Sequence, residues 1–263
     1  MPTYYLFGKP GTVSPTYTLL TKSMKGLDNW KLHSKNPDYS NNVSRLSTFG
    51  KTKRKIVGKV FLARLLKNKH YFPKTWVISG SDKKNIQTSV GKYFLKPDMN
   101  YGGKGIKILS NPNDYKKYIN NKSKYVLQKG VDNLLLYNGH KFDLRVWVYL
   151  IYRKDGKIEV YLHKDAGYLR ISKSVYNESS THPNDNLTNN SWQDKVKSNN
   201  IDFSINQLWT EQTYYGETYP KVKIIAEDVM KKLLGYWKRP DKDGFEIMGF
   251  DFLLDKELNP YLL

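Results

Sequence analysis

Lys141, Asp143 and Arg145 stand at alternate positions at the start of the run Lys-Phe-Asp-Leu-Arg-Val-Trp-Val-Tyr-Leu-Ile-Tyr, residues 141–152. In an extended strand alternate residues share a face, so two cations and a carboxylate would project together. A core strand rarely carries three charges on one face unless they meet a ligand, a metal or each other. An edge strand whose charges pair among themselves would carry the same pattern. Asp251 raises the same question, because it lies between Phe250 and Phe252 and would point opposite to both. A carboxylate in an apolar strand is usually paired or binds a metal, and Mg²⁺ takes one or two carboxylates together with phosphate oxygens. An outward-facing Asp on a half-exposed strand is the alternative. Arg170, within the alternating segment 167–172, offers a planar guanidinium to a carboxylate or phosphate.

A second group of residues suits a nucleotide. The loop Asp98–Gly105 carries Gly102, Gly103 and Gly105 around Lys104, and follows a strand that ends in Lys96-Pro97. Backbone N–H groups close over phosphates only where side chains do not intrude. The Gly-x4-Gly-Lys-Ser/Thr spacing of a Walker A loop is missing, and a strand follows rather than a helix. A strand, a Gly-rich loop and a second strand, with a Lys on the first, make a hairpin of the type that covers nucleotide in kinases and ATP-grasp ligases. An ordinary Gly-rich hairpin has the same outline. Gln128, Lys129, Gly130 and Val131 close a strand whose end can offer backbone groups to an adenine edge. Asn186, Leu187, Thr188 and Asn189 lie in a polar stretch that can serve a ribose or phosphate, or simply make an Asx-rich turn.

The elements that must hold these residues follow from periodicity. Residues 51–69 read as a helix, with apolar residues at helical spacing and a basic opposite face. Strands are expected at 92–97, 106–109 and 125–129, with a short helix over 113–121 between the last two. Residues 141–152 and 157–171 read as paired strands joined at Asp155-Gly156. Residues 177–200 form a long polar loop. The clearest helix is 221–237, with Val222, Ile225, Val229, Leu233 and Trp237 on one stripe, and 245–255 is a strand that precedes a turn at Asn259-Pro260. Three units are expected: a small N-terminal domain over 1–70, a central one over 71–130 and a C-terminal one over 131–263.

Composition narrows the function classes. The 263 residues are 39% hydrophobic and 26% charged, enough for a substantial core. No run of about 18 apolar residues marks a membrane span, and the short apolar patch at 1–7, with no basic region before it and no long apolar run, argues against a secretory signal. Cysteine is absent, which removes disulfides, thiolate metal sites and a Cys nucleophile. The five His show no metal-ligand spacing, there is no Gly-x-Ser-x-Gly elbow, and the aromatics do not follow an RNA-binding pattern. A net charge of +20 favours acidic partners. The excess is mostly Lys in a chain also rich in Asn and Tyr, which base composition of the gene would produce in part.

Taken in order, these motifs resemble the tubulin tyrosine ligase-like family of ATP-grasp amino acid ligases. The resemblance runs from about Val43 to the last residue and rests on seven pieces: Phe72-Pro73-Lys74-Thr75-Trp76, Lys96-Pro97 with Gly102–Ile106, Val126–Lys129, Lys141–Val148, Leu169-Arg170, Leu187-Thr188-Asn189 and Gly249–Phe252. It implies an α+β ATP-grasp fold, two subdomains sandwiching ATP, behind a small N-terminal domain. It implies ATP and Mg²⁺ as cofactors, with Lys96 and Lys141 on the phosphates under the loop of Gly103, Lys104 and Gly105. Gln128, Lys129, Gly130 and Val131 would line the adenine. Asp143, Thr188 and Asn189, with Leu187 beside them, would lie by the ribose or phosphates. Arg145 and Arg170 would orient the amino acid or acceptor carboxylate, and Asp251 would hold Mg²⁺.

The implied reaction activates a protein carboxylate as an acylphosphate, which the amine of a free amino acid (glutamate, glycine or tyrosine) then attacks. The implied partners are tubulin or another acidic protein tail and the free amino acid, with no membrane or nucleic acid, and the implied setting is a monomer in the cytoplasm at the cytoskeleton. Asn186 stands where the family usually has His, and Gly102 where it has Arg. The family's Glu-x-Asn metal ligands would begin just after Leu263, so the chain is expected to be truncated and, as it stands, to have little ligase activity. A binding module that grips acidic tails without catalysis is the alternative, and a nucleic-acid-binding protein is favoured by charge alone.

Overall fold

The computed structural model describes residues 58–81, 84–100, 102–164, 168–189, 214–236 and 244–263, together with Ile56 and short strands at 3–5, 31–32 and 39–40. Those short strands, Thr3–Tyr5 (β1), Lys31–Leu32 (β2) and Tyr39–Ser40 (β3), make a small parallel sheet with β1 in the middle. Two antiparallel sheets hold the rest. One has four strands: Thr75–Ser79 (β4), Tyr93–Pro97 (β5), Lys107–Leu109 (β6) and Lys124–Lys129 (β7), in the order β4-β7-β5-β6.

The other sheet is built on His140–Tyr152 (β9), the longest strand among the described residues. Leu136–Tyr137 (β8) leads into it through Asn138-Gly139, whose φ values of 48° and 78° make a two-residue turn with both central residues left-handed. This Asn-Gly signal, absent from the sequence reading, sets Tyr137 opposite His140 and so fixes which residues of β9 share a face. Ile158–Leu162 (β10) and Tyr168–Ile171 (β11) pair with β9 on one side, and Gly244–Leu254 (β12) pairs on the other, followed by Pro260–Leu262 (β13).

The stretch expected as one strand over 157–171 is thus two. Residues 158–162 run back along 148–152 after the turn at Asp155-Gly156, and 168–171 pair separately with 142–145. The helix expected over 51–69 is described as Lys59–Leu65 (α1), with extended Gly58 as its N-cap and Asn68 at φ 67° beyond it. The helix expected over 113–121 is a 3-10 turn, Pro112–Lys117, which ends three residues before the Asn120-Asn121 pair. A short helix, Pro183–Asn186 (α2), interrupts the polar loop. The long C-terminal helix is Tyr219–Leu234 (α3), entered through a π-helical turn and Pro220; Trp237 lies outside the described residues.

Alternation on β9 explains how these parts assemble. Phe142, Leu144, Val146, Val148, Leu150 and Tyr152 are all buried, and they meet the apolar stripe of α3 (Val222, Ile225, Val229 and Leu233) in one core with Phe250, Phe252 and Leu254 of β12. Each such side chain contributes about 1.5–3 kcal/mol when fully buried. The second core, Tyr93, Leu95, Tyr115 and Leu127 among others, belongs to the four-stranded sheet. Helix α1 and its C-cap serve both sheets: Val60 and Ala63 pack on Val126, while the C-cap Leu66 joins the core under β9. The odd-numbered start of β9 therefore faces away from α3. Among the described residues, no helix is long and apolar enough to cross a membrane.

Candidate functional site

A cleft of about 480 Å³, its solvent-filled mouth included, runs between the two large sheets. Phe94 and Lys96 of β5 and Gln128 and Lys129 of β7 form one wall, continued by Gly130 and Val131. Lys141 of β9 and Leu253 of β12 form the facing wall, and Asn186, Leu187, Thr188 and Asn189 close one side. Pro73, Ile106 and Leu263 complete the lining.

Lys96 and Lys141 come from different sheets and converge on one ring. The Lys141 ammonium stands 4.6 Å from the Phe94 centroid, and that of Lys96 stands 6.0 Å from it. Lys96 Nζ also donates to Gln128 Oε1 at 2.6 Å, and Gln128 Nε2 donates to Thr75 Oγ1 at 3.0 Å, so Gln128 is oriented by its neighbours. Burial pulls the Lys96 ammonium down to about 8, with Lys59 adding repulsion and Asp251 and Asp143 opposing it. Burial pulls Lys141 down to about 7, with the charges of Lys96 and Lys92 pushing the same way and Asp143 opposing. Desolvated lysines that repel one another favour an anion between them.

Lys92, which sequence reasoning did not single out, extends this row. Lys92, Phe94 and Lys96 alternate on β5 and its approach, so period-two spacing could have grouped them. Lys92 Nζ donates to Asn186 Oδ1 at 2.6 Å and stands 4.3 Å over the Tyr176 ring. Burial lowers it to about 8, against the pull of Asp185 and Glu178. The Asn186 amide is fully used, since its Nδ2 donates to the carbonyls of Ser180 and His182.

Next to Lys141 and Thr188 lies an ion-pair cluster that strand register produces directly. Arg170 of β11 is the cross-strand partner of Asp143, and Asp251 of β12 is the cross-strand partner of Arg145. Arg170 Nε donates to Asp143 Oδ1 at 2.6 Å, and its Nη2 reaches across β9 to Asp251 Oδ2 at 2.7 Å. Arg145 is bidentate on Asp251, through Nε to Oδ1 and through Nη2 to Oδ2, the latter at 2.9 Å. Thr188 Oγ1 donates to the second oxygen of Asp143.

The two carboxylates differ. Burial raises Asp143, and the pull of Arg170 does not offset it. Burial also works against ionised Asp251, but Arg170 and Arg145 outweigh it and hold this carboxyl below the usual range. For Arg170 burial acts downward, and Asp143 and Asp251 reverse it, so the guanidinium stays charged. Of the three charges on one face of β9, Asp143 and Arg145 thus meet partners on the strands to either side, while Lys141 turns to Phe94 of the other sheet.

The Gly-rich turn sits at the edge of this arrangement. Gly103 is buried with φ 73°, and a Cβ there would come within 3.1 Å of Asn189 Oδ1, so the turn touches the loop that closes the cleft. Lys104 and Gly105 are exposed and do not line the cleft, whereas Ile106 does. Among the described residues, no group of three or more His, Asp or Glu is placed to hold a metal ion. Asp251 and Asp143 converge on one guanidinium and both act on the charge of Lys96, and such a carboxylate pair would fit a Mg²⁺ that takes its remaining ligands from phosphate and water.

The site is a cleft between two antiparallel sheets in which two desolvated lysines stand beside a carboxylate–guanidinium cluster. The chain matches the model of the tubulin-tyrosine ligase family over residues 62–263 and belongs to that family. It is 28% identical over 194 residues to tubulin glycylase 3B of Drosophila melanogaster, a match covering 65% of this chain and 25% of that protein. It is 25% identical over 201 residues to tubulin polyglutamylase ttll-4 of Caenorhabditis briggsae, covering 68% and 32%. It is 27% identical over 222 residues to the human tubulin polyglutamylase TTLL13, covering 73% and 26%. The chain thus spans between a quarter and a third of the length of these relatives.

Proposed function

We propose that this chain carries the nucleotide site of an ATP-dependent ligase that joins an amino acid, whether glutamate, glycine or tyrosine, to a carboxylate on a tubulin tail. The observation that carries the reading is the convergence of Lys96 and Lys141 on Phe94, in a cleft that leads to the Arg170–Asp143–Asp251–Arg145 cluster. Relatives named as tubulin glycylases and polyglutamylases support the substrate class. The architecture we propose is an ATP-grasp fold, with lobes over 71–130 and 131–263 that sandwich ATP behind a segment over 1–70. The place of action is the microtubule surface in the cytoplasm.

In this reading the adenine lies along Gln128, Lys129, Gly130 and Val131, and the triphosphate reaches Lys96 and Lys141 beneath the turn of Gly103, Lys104 and Gly105. Leu187, Thr188 and Asn189 flank the ribose. Asp251 would hold Mg²⁺, which would supply charge neutralisation at the phosphates. Arg145 and Arg170 orient the acceptor or amino acid carboxylate, a task suited to a planar fork of donors. The acceptor carboxylate takes the terminal phosphoryl group, ADP leaves, and the amine displaces phosphate from the acylphosphate. The protein supplies position and charge, not covalent chemistry. Full-length protein, Mg-ATP and tubulin-tail peptide are incubated with each amino acid in turn and analysed by mass spectrometry. An ATP-dependent mass gain of one or more residues is expected with one of the three. Binding of the acidic peptide without any mass gain, under conditions where the protein binds ATP, would contradict the ligase reading.

A further inference from the structure

Gly249 lies in the middle of β12, opposite Trp147 of β9 and two residues before Asp251. Glycine in a strand interior costs stability, and it is retained where the backbone needs an unusual φ or where another group comes close. The first reason does not hold, because Gly249 is absent from the left-handed residues of the chain. The second does: a Cβ at Gly249 would stand 2.7 Å from Arg145 Cδ, 2.8 Å from its Nη1 and 2.9 Å from its Nε. Arg145 therefore lies flat across the space a side chain would fill, with its guanidinium carbon 5.4 Å from the Trp147 ring centroid and its donors on Asp251.

We propose that Gly249 is the positioning residue for Arg145. Its missing side chain is the channel through which Arg145 reaches Asp251. Through it, the protein keeps Asp251 clasped by two guanidinium groups until a divalent cation takes the carboxylate and sets Arg145 free for an anionic ligand. The proposal rests on the nucleotide-site reading above for the identity of those ligands; the steric claim stands on the close approach of Arg145 to Gly249 alone.

Stability of the full-length protein, as thermal unfolding of wild type, G249A, R145S and the double variant, tests the steric part. G249A should lower the midpoint, because the long Arg145 side chain is evicted into a crowded cluster. In the R145S background the same G249A change should be neutral or raise the midpoint, since alanine is the better strand residue once the space is free. A glycine kept for its backbone would give the same loss in both backgrounds, and that result overturns the proposal.

Two further readouts follow the clasp. The Arg145 Nε–H resonance should be protected from exchange in wild type and lose that protection in G249A. Affinity for Mn²⁺ alone should rise several-fold in R145S, because a competing cation has left Asp251, and adding G249A should change it no further. Unchanged or weaker Mn²⁺ binding in R145S overturns the clasp. Nucleotide binding by wild type, measured in parallel, separates the two readings: its absence removes the ligase assignment and leaves the rescue experiment to decide the role of Gly249.

Discussion

Binding of a triphosphate in the cleft should draw protons from solution. The free protein holds Lys96 at about 8 and Lys141 at about 7, because burial disfavours the charged forms, with Lys59 repelling Lys96 and with Lys96 and Lys92 repelling Lys141. Placing phosphate oxygens against both ammonium groups returns them to ordinary charged lysines. At pH 8, Lys96 is about half protonated and Lys141 about one-tenth protonated before binding, so uptake is about 1.4 protons per nucleotide. The same arithmetic gives about 0.6 protons at pH 7 and about 1.9 at pH 9. The bound state holds more protons, so affinity falls as pH rises, by between about two and three powers of ten from pH 7 to pH 9. Calorimetric titration with Mg-ATP in buffers of different ionisation enthalpy reads the proton number directly. Lys141→Met should weaken binding and reduce uptake at pH 8 to about half a proton, the share left to Lys96. Zero uptake at pH 8, with tight binding, would refute the claim that the cleft lysines meet the phosphates.

Three other outcomes follow. Arg170→Met leaves Asp143 and Asp251 facing each other without their shared cation, and should cost about 3–5 kcal/mol in urea unfolding, as for other broken buried pairs; a loss under about 1 kcal/mol would mean that the cluster is not held through Arg170. Phe94→Leu keeps apolar bulk but removes the ring 4.6 Å from Lys141, and should weaken Mg-ATP binding by about fivefold, in line with about 1 kcal/mol for a partly desolvated cation–π contact. Stability should rise with pH above neutrality: the folded value of Lys141 lies below its unfolded one, so the unfolded chain binds more protons, and about 2 kcal/mol of the destabilisation is relieved between pH 7 and pH 9. Lys141→Met should flatten that rise in a pH series of unfolding curves, and an equal slope in both proteins would argue against a depressed Lys141.

Much of the site could be read from spacing, because strands write one face into every second residue. Lys141, Asp143 and Arg145 declare a charged face by alternation alone, and Asp251 between two phenylalanines does the same. Their partners could not be read this way. Arg170 meets Asp143, and Arg145 meets Asp251, because of the register of β11 and β12 on β9, which depends on turns and packing far along the chain. The same limit explains why residues 157–171 read as one strand: alternation does not tell that 158–162 and 168–171 pair with separate stretches of β9. Phe94 was overlooked because its role is defined by lysines from two sheets. Gly249 was quoted as part of a motif without a role of its own, since its meaning depends on the path of an arginine two strand positions away on the neighbouring strand. Lys104 lies exposed in the described turn and outside the cleft lining, a placement that its position in a Gly-rich loop does not reveal.

The central claim, that the acceptor carboxylate is activated with a phosphoryl group from ATP, is tested most directly by isotope transfer. Tubulin-tail peptide labelled with ¹⁸O in its carboxylates is incubated with full-length protein, Mg-ATP and the amino acid that supports transfer, and the released phosphate is analysed by mass spectrometry. One ¹⁸O should appear in phosphate for each amino acid joined, with ADP as the nucleotide product. Amino acid joined with no label in phosphate, or with AMP and pyrophosphate as products, would contradict the account.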